Sequence, residues 1–256
     1  MNAVATDHKP LLADLKRDGW QAVFAGGAAC LTIALALQLG HDLDWWQTAG
    51  ALVSYAAMIT LGARWLPAHL PHAVLGPANR VTVLRAALIA TLMPLVLLLD
   101  EAGWSVPSIA LAALALDAVD GWTARRFGVA SDFGARIDRE LDALTVLVLS
   151  LLLWRVGDMG AWVLAAGLWR YLFLILGRVD RRFAVPLAPA PWRAWACGLS
   201  VGLLILGLVP ALPPGGAVVA GIVAVAALST SFLRDIVSLA RRTPGPAHHE
   251  DTGRTP

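Results

Sequence analysis

Long apolar runs recur along most of this 256-residue chain and limit what it can fold into. A helix needs about 20 apolar residues to cross the hydrocarbon core of a bilayer, where the backbone must satisfy its own hydrogen bonds. Eight runs have about that length: 20–39, 46–66, 81–99, 104–124, 138–156, 160–177, 193–210 and 215–233. With 58% hydrophobic and 15% charged residues, the chain has too few polar residues for a water-soluble surface. The sequence therefore predicts an all-α, polytopic membrane protein with about eight transmembrane helices.

Basic residues fall on one side of these predicted helices. Lys and Arg near the ends of spans are retained on the cytoplasmic side of a membrane. If the N-terminus is cytoplasmic, nearly all of them lie at that face, with Arg155 outside and Arg170 within a span. We therefore predict a multi-pass protein of the cytoplasmic (inner) membrane with both termini in the cytoplasm. It has a cytoplasmic N-terminal segment over 1–19 and a disordered tail over 241–256.

Four aspartates interrupt the apolar pattern around one helix reversal. Asp117 and Asp120 lie near the end of the fourth run, and Asp138 and Asp142 lie at the start of the fifth. In an antiparallel hairpin, residues equally far from the reversal lie at equal depth, which pairs Asp117 with Asp142 and Asp120 with Asp138. At 100° per residue, the aspartates of each helix also share one stripe, so that the two stripes can face each other. The small residues on these stripes, which allow close approach of a helix or a ligand, are Gly121, Ala124 and Gly134.

Carboxylates in a transmembrane helix need a cationic partner. An unpaired Asp costs about 2.5 to 3.5 kcal/mol at the centre of such a helix. Convergent carboxylate oxygens are hard ligands that suit Mg²⁺ or Mn²⁺. Two such ions about 4 Å apart can bind phosphate oxygens and stabilise the attacking and leaving groups of a phosphoryl transfer. The pattern predicts a phosphotransfer site with two divalent ions that opens to the cytoplasm.

Membrane aspartates also serve as ion sites and proton relays. A cation or proton transporter that uses the four aspartates as its ion site is therefore the alternative interpretation. It predicts ion flux across a vesicle membrane without turnover of a phosphate donor, whereas a phosphotransferase predicts metal-dependent release of the leaving group of such a donor.

The spacing of these residues resembles a known family signature. The pattern Asp117-x2-Asp120-Gly121-x2-Ala124-Arg125-x8-Gly134-x3-Asp138-x3-Asp142 is similar, at every motif position, to that of the class I CDP-alcohol phosphatidyltransferases. A weaker match, Asn79-x2-Thr82-x2-Arg85, resembles the opening of the family's first core helix. The resemblance implies a six-helix CDP-alcohol phosphotransferase core over 78–240. The two helices within 20–77 are additional to that core, and we expect them to serve in packing or assembly.

The resemblance also implies a reaction and a role for each motif residue. A phosphatidyl or related phosphoalcohol group would pass from a CDP-linked donor, with CDP-diacylglycerol favoured, to an alcohol acceptor, with release of CMP. Asp117, Asp120 and Asp138 would be the main metal ligands, and Asp142 would join them and act as general base. Gly121, Ala124 and Gly134 would make room for the cytidine nucleotide. Arg125 would bind its diphosphate, and Asn79, Thr82 and Arg85 would reach the nucleotide or its phosphates.

Arginines further along the chain are candidates for binding the acceptor. Arg170 lies about two turns inside its span and needs a partner there. That partner is a substrate phosphate or metal-site carboxylate on one interpretation, and another buried group in a structural pair on the other. Arg178, Arg181, Arg182 and Arg193 lie together on one cytoplasmic connection. They are typical of positive-inside signals and of contacts to anionic lipid, and alternatively they form a pocket for a phosphorylated acceptor.

The remaining polar residues show no pattern of their own. Cys30 and Cys197 have neither metal-ligand nor disulfide spacing, and His69 and His72 lie in a proline-rich loop without a third ligand. No phosphate-binding glycine loop, nucleophilic serine or nucleic-acid-binding feature occurs, so nucleic acid is not an expected partner. The expected partners are the lipid bilayer, a CDP-linked lipid donor and an alcohol acceptor, and the resemblance adds a second copy of the chain in a homodimer.

Overall fold

The described part of the chain is built from helices. The computed structural model describes residues 8–64, 76–100, 103–127, 132–157, 159–184 and 190–241. Within those ranges the regular elements are α-helices and two short 3-10 helices, without a β-strand. The α-helices are α1 (His8–Gly40), α2 (Trp45–Ala63), α3 (Gly76–Leu92), α4 (Leu95–Leu98), α5 (Ser105–Phe127), α6 (Asp132–Val156), α7 (Leu164–Val179), α8 (Pro191–Gly207) and α9 (Pro214–Ala240). The prediction of an all-α fold is confirmed.

The first two helices form an antiparallel pair that packs on α3. Small residues at their interface, including Cys30 of α1 and Ala51 of α2, allow the backbones to approach. The Tyr55 hydroxyl of α2 donates a hydrogen bond of 2.7 Å to the carbonyl oxygen of Val23 in α1. Ala87 of α3 belongs to the same buried cluster. The N-terminal pair is therefore joined to the rest of the molecule through the third helix.

α3 is the central helix. It packs against α1, α2, α5 and α6, and its residues from Ala86 to Leu92 are all buried. Pro94 separates α3 from the short α4, because proline has no N–H to donate to a helical hydrogen bond. The run over 81–99, which the sequence predicts as one span, is consequently interrupted one turn before its end.

Among the described residues, the two helices that carry the aspartates, α5 and α6, pack mainly on other helices. Within the described residues, α5 packs on α3 and α8, and α6 packs on α3, α7 and α8. Two helices thus lie against both arms of the aspartate hairpin. The second half of α6 enters the main core, where Leu149, Leu152 and Leu153 are fully buried with Leu204 of α8. The first half, with Asp138 and Asp142, is left lining a polar site.

Each of the eight predicted spans corresponds to helical structure. Within the part of the chain that the structure describes, four stretches are both long and apolar enough to cross a membrane, and two shorter apolar helices accompany them. The four are Gly19–Gly40, Asn79–Leu98, Ala161–Val179 and Pro214–Ala240. Large apolar side chains such as Trp20, Val53 and Val219 are exposed on the outer surface, as expected of a surface that faces lipid. The chain is therefore a multi-pass membrane protein, and the number of eight crossings stays a prediction.

The first and last helices can be compared with the predicted terminal segments. α1 is one continuous helix from His8, so the polar segment predicted over 1–19 does not end at a helix boundary. α9 continues to Ala240 and ends at the position where the tail was predicted to begin. The rest of that tail, residues 242–256, and the loop with His69 and His72 lie outside the described residues.

Candidate active site

Three helices bring charged side chains to one point inside the molecule. Asp117 comes from α5, and Asp138 and Asp142 come from α6, where a spacing of four residues places both on one face. We call these three residues the carboxylate cluster. Arg85 comes from α3, the helix that packs on both α5 and α6. The four groups meet because the central helix lies against both arms of the aspartate hairpin.

The guanidinium of Arg85 contacts every member of the carboxylate cluster. Its Nη1 atom lies 2.8 Å from Oδ1 of Asp117 and donates a hydrogen bond of 3.2 Å to Oδ1 of Asp138. Its Nη2 atom donates a hydrogen bond of 2.8 Å to Oδ1 of Asp142. The Arg85 side chain is only 3% exposed, whereas the three aspartates are 35% to 38% exposed. A fully buried cation thus holds one oxygen of each carboxylate, and the carboxylates form the accessible side of the site.

A cavity of about 110 Å³ opens beside the cluster. Arg85, Asp117 and Asp142 form its charged wall, so the two aspartates that were predicted to lie at equal depth line one space. α8 also lines the cavity and contributes mostly small residues, including Cys197 and Gly198. The arrangement provides room for a polar group of a ligand next to the carboxylates.

The Asn79–Thr82–Arg85 motif lies on the side of α3 that faces the aspartates. The Thr82 hydroxyl donates a long hydrogen bond of 3.4 Å to Oδ1 of Asp138, and Thr82 is buried. Residues three apart share a helix face, which accounts for Thr82 and Arg85 reaching the same carboxylate. Thr82 and Arg85 of the motif therefore contact the carboxylate cluster itself. A contact of these residues with a nucleotide stays a prediction.

The other half of the predicted motif is described only in part. Gly121 and Gly134 are half-buried on α5 and α6. The side chains of Asp120, Ala124 and Arg125 lie outside the described residues, although the backbone of all three belongs to α5. Metal binding by Asp120, space for the nucleotide at Ala124 and diphosphate binding by Arg125 therefore stay predictions.

The described side chains among the arginines proposed for the acceptor have different surroundings. Arg170 donates a hydrogen bond of 2.6 Å to Oε1 of Glu140 on α6, which matches the structural-pair interpretation of this residue. Arg193 lies 3.1 Å from the buried carboxylate of Asp235 on α9. Arg178 and Arg182 are exposed, and the side chain of Arg181 lies outside the described residues.

Sequence reasoning did not anticipate Glu140, Asp235 or the α8 wall of the cavity. A carboxylate partner for Arg170 could be expected from the cost of a buried charge, but the sequence offered several acids and no distance. On α8, Ala194, Cys197, Gly198 and Val201 follow the i, i+3, i+4, i+7 spacing of one helix face, and all four line the cavity. That spacing was the available signal.

The match with known proteins agrees with this geometry. The model of the CDP-alcohol phosphatidyltransferase family matches residues 75–233, which is more than half of the chain and includes α3 and all four motif aspartates. The chain belongs to the CDP-alcohol phosphatidyltransferase family. No curated protein and no solved structure matches it. The matched region begins just before α3, so α1 and α2 precede the part that resembles the family.

Family membership establishes the class of chemistry. CDP-alcohol phosphatidyltransferases are membrane-embedded transferases of phosphate-containing groups and act in phospholipid synthesis. This chain is accordingly an enzyme that transfers such a group from a CDP-alcohol. The identity of its donor and acceptor is a separate question.

Members of the family generally depend on divalent metal ions, and the chemistry of the cluster fits such ions. It presents several carboxylate oxygens to a single cationic group, and hard divalent ions prefer oxygen donors. Among the described side chains, no three of the Asp, Glu, His and Cys type are arranged to hold an ion without adjustment. The side chain of Asp120, the fourth predicted ligand, is not among those described. The donors are therefore of the required kind, and their Oδ1 atoms are engaged by Arg85.

Proposed function

We propose that this enzyme transfers a phosphatidyl group from CDP-diacylglycerol to an alcohol acceptor and releases CMP. The observation that carries the proposal is the convergence of Asp117, Asp138 and Asp142 on one buried point beside a cavity, within a chain of this family. A lipid donor is supported by the setting, since exposed apolar side chains surround the helices that build the site. A donor with two acyl chains can lie in the bilayer while its diphosphate reaches the carboxylates.

The proposed reaction uses the cluster as both cation site and base. Asp117, Asp120, Asp138 and Asp142 would hold two Mg²⁺ or Mn²⁺ ions, which supply charge neutralisation for the diphosphate and for the attacking and leaving oxygens. The carboxylate of Asp142, which lines the cavity, takes the proton of the acceptor hydroxyl. The acceptor oxygen forms a bond to the phosphorus that carries the diacylglycerol. The bond between that phosphorus and the bridging oxygen breaks, and CMP leaves with the electron pair.

The remaining motif residues position the nucleotide in this proposal. Arg125 binds the diphosphate, because a guanidinium fork matches phosphate oxygens. Gly121, Ala124 and Gly134 leave space for the cytidine. Asn79 and Thr82 complete the site from α3.

We further propose a phosphorylated acceptor such as glycerol 3-phosphate or inositol phosphate. Arg178, in the last turn of α7, and Arg182, just beyond the end of that helix, are exposed and can meet a soluble anion, and Arg181 lies next to Arg182 in the sequence. Arg170 and Arg193 contribute less directly, because each is engaged by a carboxylate, Glu140 and Asp235 respectively. In this proposal the protein lies in the cytoplasmic membrane and its site faces the cytoplasm. Soluble acceptors and CDP-linked lipids are both present there.

The test is turnover by the purified protein in lipid nanodiscs. Radiolabelled CDP-diacylglycerol is supplied with a panel of acceptors, with Mg²⁺, Mn²⁺ or EDTA, and both CMP release and the mass of the lipid product are measured. We expect metal-dependent CMP release with one acceptor class, and loss of at least about a hundredfold in Asp142→Asn.

The matched control is Asp42→Asn, which makes the same chemical change far from the site. Asp42 is exposed between α1 and α2 with φ of 50°, a conformation that Asn also adopts readily. We expect this variant to retain wild-type turnover. Proton or metal flux into liposomes, without consumption of any CDP-linked donor, would instead support the transporter interpretation and remove the proposal.

A further inference from the structure

Arg85 occupies an unusual position for a residue of a metal-dependent site. Its guanidinium is almost completely buried and contacts Oδ1 of Asp117, Asp138 and Asp142 at 2.8, 3.2 and 2.8 Å. These contacts use both terminal nitrogens of the guanidinium. The same carboxylates are the groups proposed to hold the divalent ions.

The cluster needs this cation for electrostatic reasons. Three carboxylates within contact of one guanidinium repel each other, and burial between apolar helices weakens screening by water. A single positive charge offsets only part of the formal charge of the cluster, and Asp120 adds a fourth negative charge to the motif by sequence. The site therefore remains negative with Arg85 in place and can still attract further cations.

The packing of α3 fixes the position of Arg85. α3 is held between the N-terminal pair and the aspartate helices, and its side chains around Arg85 are buried. Thr82 lies one turn earlier and hydrogen-bonds the same Asp138 oxygen that Arg85 contacts. The guanidinium is thus presented to the carboxylates by a rigid helix and not by a loop.

We propose that Arg85 is an internal counter-cation that holds the carboxylate cluster together before the ions bind, and that it competes with those ions for the carboxylates. The inference rests on the proposed function only in that the cluster is taken to hold divalent ions. An ion that binds the Oδ1 atoms must weaken the contacts of these atoms with Arg85. Because coupling between two sites is reciprocal, Arg85 must equally weaken the binding of the ion. Arg85 would in this way both stabilise the metal-free protein and set its metal affinity.

The direct test is binding of Mn²⁺ without any substrate. Free Mn²⁺ is measured by its electron paramagnetic resonance signal during titration of the wild type and of Arg85→Gln in nanodiscs. We expect Arg85→Gln to bind Mn²⁺ about tenfold more tightly, a factor within the usual range of coupling between sites. In EDTA the variant should melt at a lower temperature than the wild type, and saturating Mn²⁺ should raise its melting temperature by more than it raises that of the wild type.

Arg170→Gln is the matched control. It removes a partly buried arginine from Glu140, a carboxylate of α6, without touching the cluster. We expect its Mn²⁺ affinity to stay within about twofold of the wild type even if its stability falls. An equal gain of affinity in both variants would show a general effect of lost positive charge and would overturn the proposal.

A second pair of variants covers the possibility that Arg85→Gln does not fold. Asp142→Asn and the double variant Arg85→Gln/Asp142→Asn are compared, because the double variant removes one charge of each sign. The double variant should bind Mn²⁺ more tightly than Asp142→Asn alone. Equal or weaker binding would contradict the proposed competition. These experiments measure no turnover, so the metal-binding results remain valid even if CDP-diacylglycerol proves not to be the donor. If the wild type turns over a CDP-linked donor but Arg85→Gln binds Mn²⁺ with unchanged affinity, only this inference is overturned.

Discussion

Arg170 of α7 and Glu140 of α6 form an ion pair with 2.6 Å between Nη2 and Oε1. Glu140 lies between Asp138 and Asp142 in the sequence, but at 100° per residue it projects from the opposite face of α6. α6 therefore presents aspartates to Arg85 on one face and a glutamate to α7 on the other. The pair therefore joins α6 to α7 on the face of α6 that points away from the carboxylate cluster.

A double-mutant cycle should measure this pair. Arg170→Gln and Glu140→Gln should each lower the free energy of unfolding, and the coupling between them should be about 0.5 to 2 kcal/mol. The lower half of that range is favoured, because the two side chains are 25% and 34% exposed and water screens the pair. Unfolding of the four proteins in mixed micelles with increasing SDS gives the energies.

The same variants distinguish a structural role of Arg170 from binding of the acceptor. If Arg170 acts through Glu140, both variants should change the KM for the acceptor by similar factors. A large rise in that KM for Arg170→Gln alone would mean that Arg170 contacts the acceptor directly.

Gly167 should be essential for the packing of α7 on α6. A Cβ atom at this position would lie 2.6 Å from Cα of Leu147 and 2.7 Å from Oγ of Ser150, so the two helices would have to separate. We expect Gly167→Ala to cost about 1 to 3 kcal/mol of stability, visible as a lower melting temperature. Gly202→Ala on α8 is the control, because a Cβ there meets nothing within 4 Å. Equal melting temperatures of the two variants would show that the α6–α7 contact tolerates expansion.

Much of the fold and the centre of the site could be predicted from sequence. Apolar runs of span length located the helices, because a bilayer demands both the length and the helical backbone. The spacing of the aspartates predicted that Asp117, Asp138 and Asp142 come together, because helix periodicity places the aspartates of each helix on one stripe, and the three meet at Arg85. Both predictions depend on regular repeats within single helices.

Contacts between helices that are distant in sequence could not be predicted in this way. Within the described residues, α5 packs mainly on α3 and α8, and Arg85 of α3 lies where the carboxylates meet, whereas the aspartate pattern itself contains no residue of α3 or α8. The pairing of Arg170 with Glu140 depends likewise on how α7 is rotated against α6. Such rotations follow from side-chain packing over whole helices, and no short motif encodes them.

Cys197 offers a test of the cavity beside the carboxylates. Phenylalanine at this position on α8 should fill much of the space of about 110 Å³ that the residue lines with Asp117 and Asp142. We expect Cys197→Phe to lower kcat/KM for CMP release by about tenfold or more, since displacement of a reacting group by about 1 Å is already costly. Leu199→Phe, on the exposed face of the same helix, should retain activity. Unchanged turnover by Cys197→Phe would mean that substrates do not use this cavity.

The N-terminal helix pair should influence the site through α3. A Cβ atom on Gly26 of α1 would contact the hydroxyl of Tyr55 and lie 2.9 Å from Cγ1 of Val83, the neighbour of Thr82. Gly26→Ala should therefore push on α3, cost about 1 to 3 kcal/mol and slow CMP release by shifting Arg85 relative to the aspartates. Gly27→Ala is the matched control, because its nearest neighbour would lie at an ordinary contact distance of 3.5 Å. Thermal unfolding and turnover of both variants are compared, and identical behaviour would show that α1 and α2 serve assembly or insertion without acting on the catalytic helix.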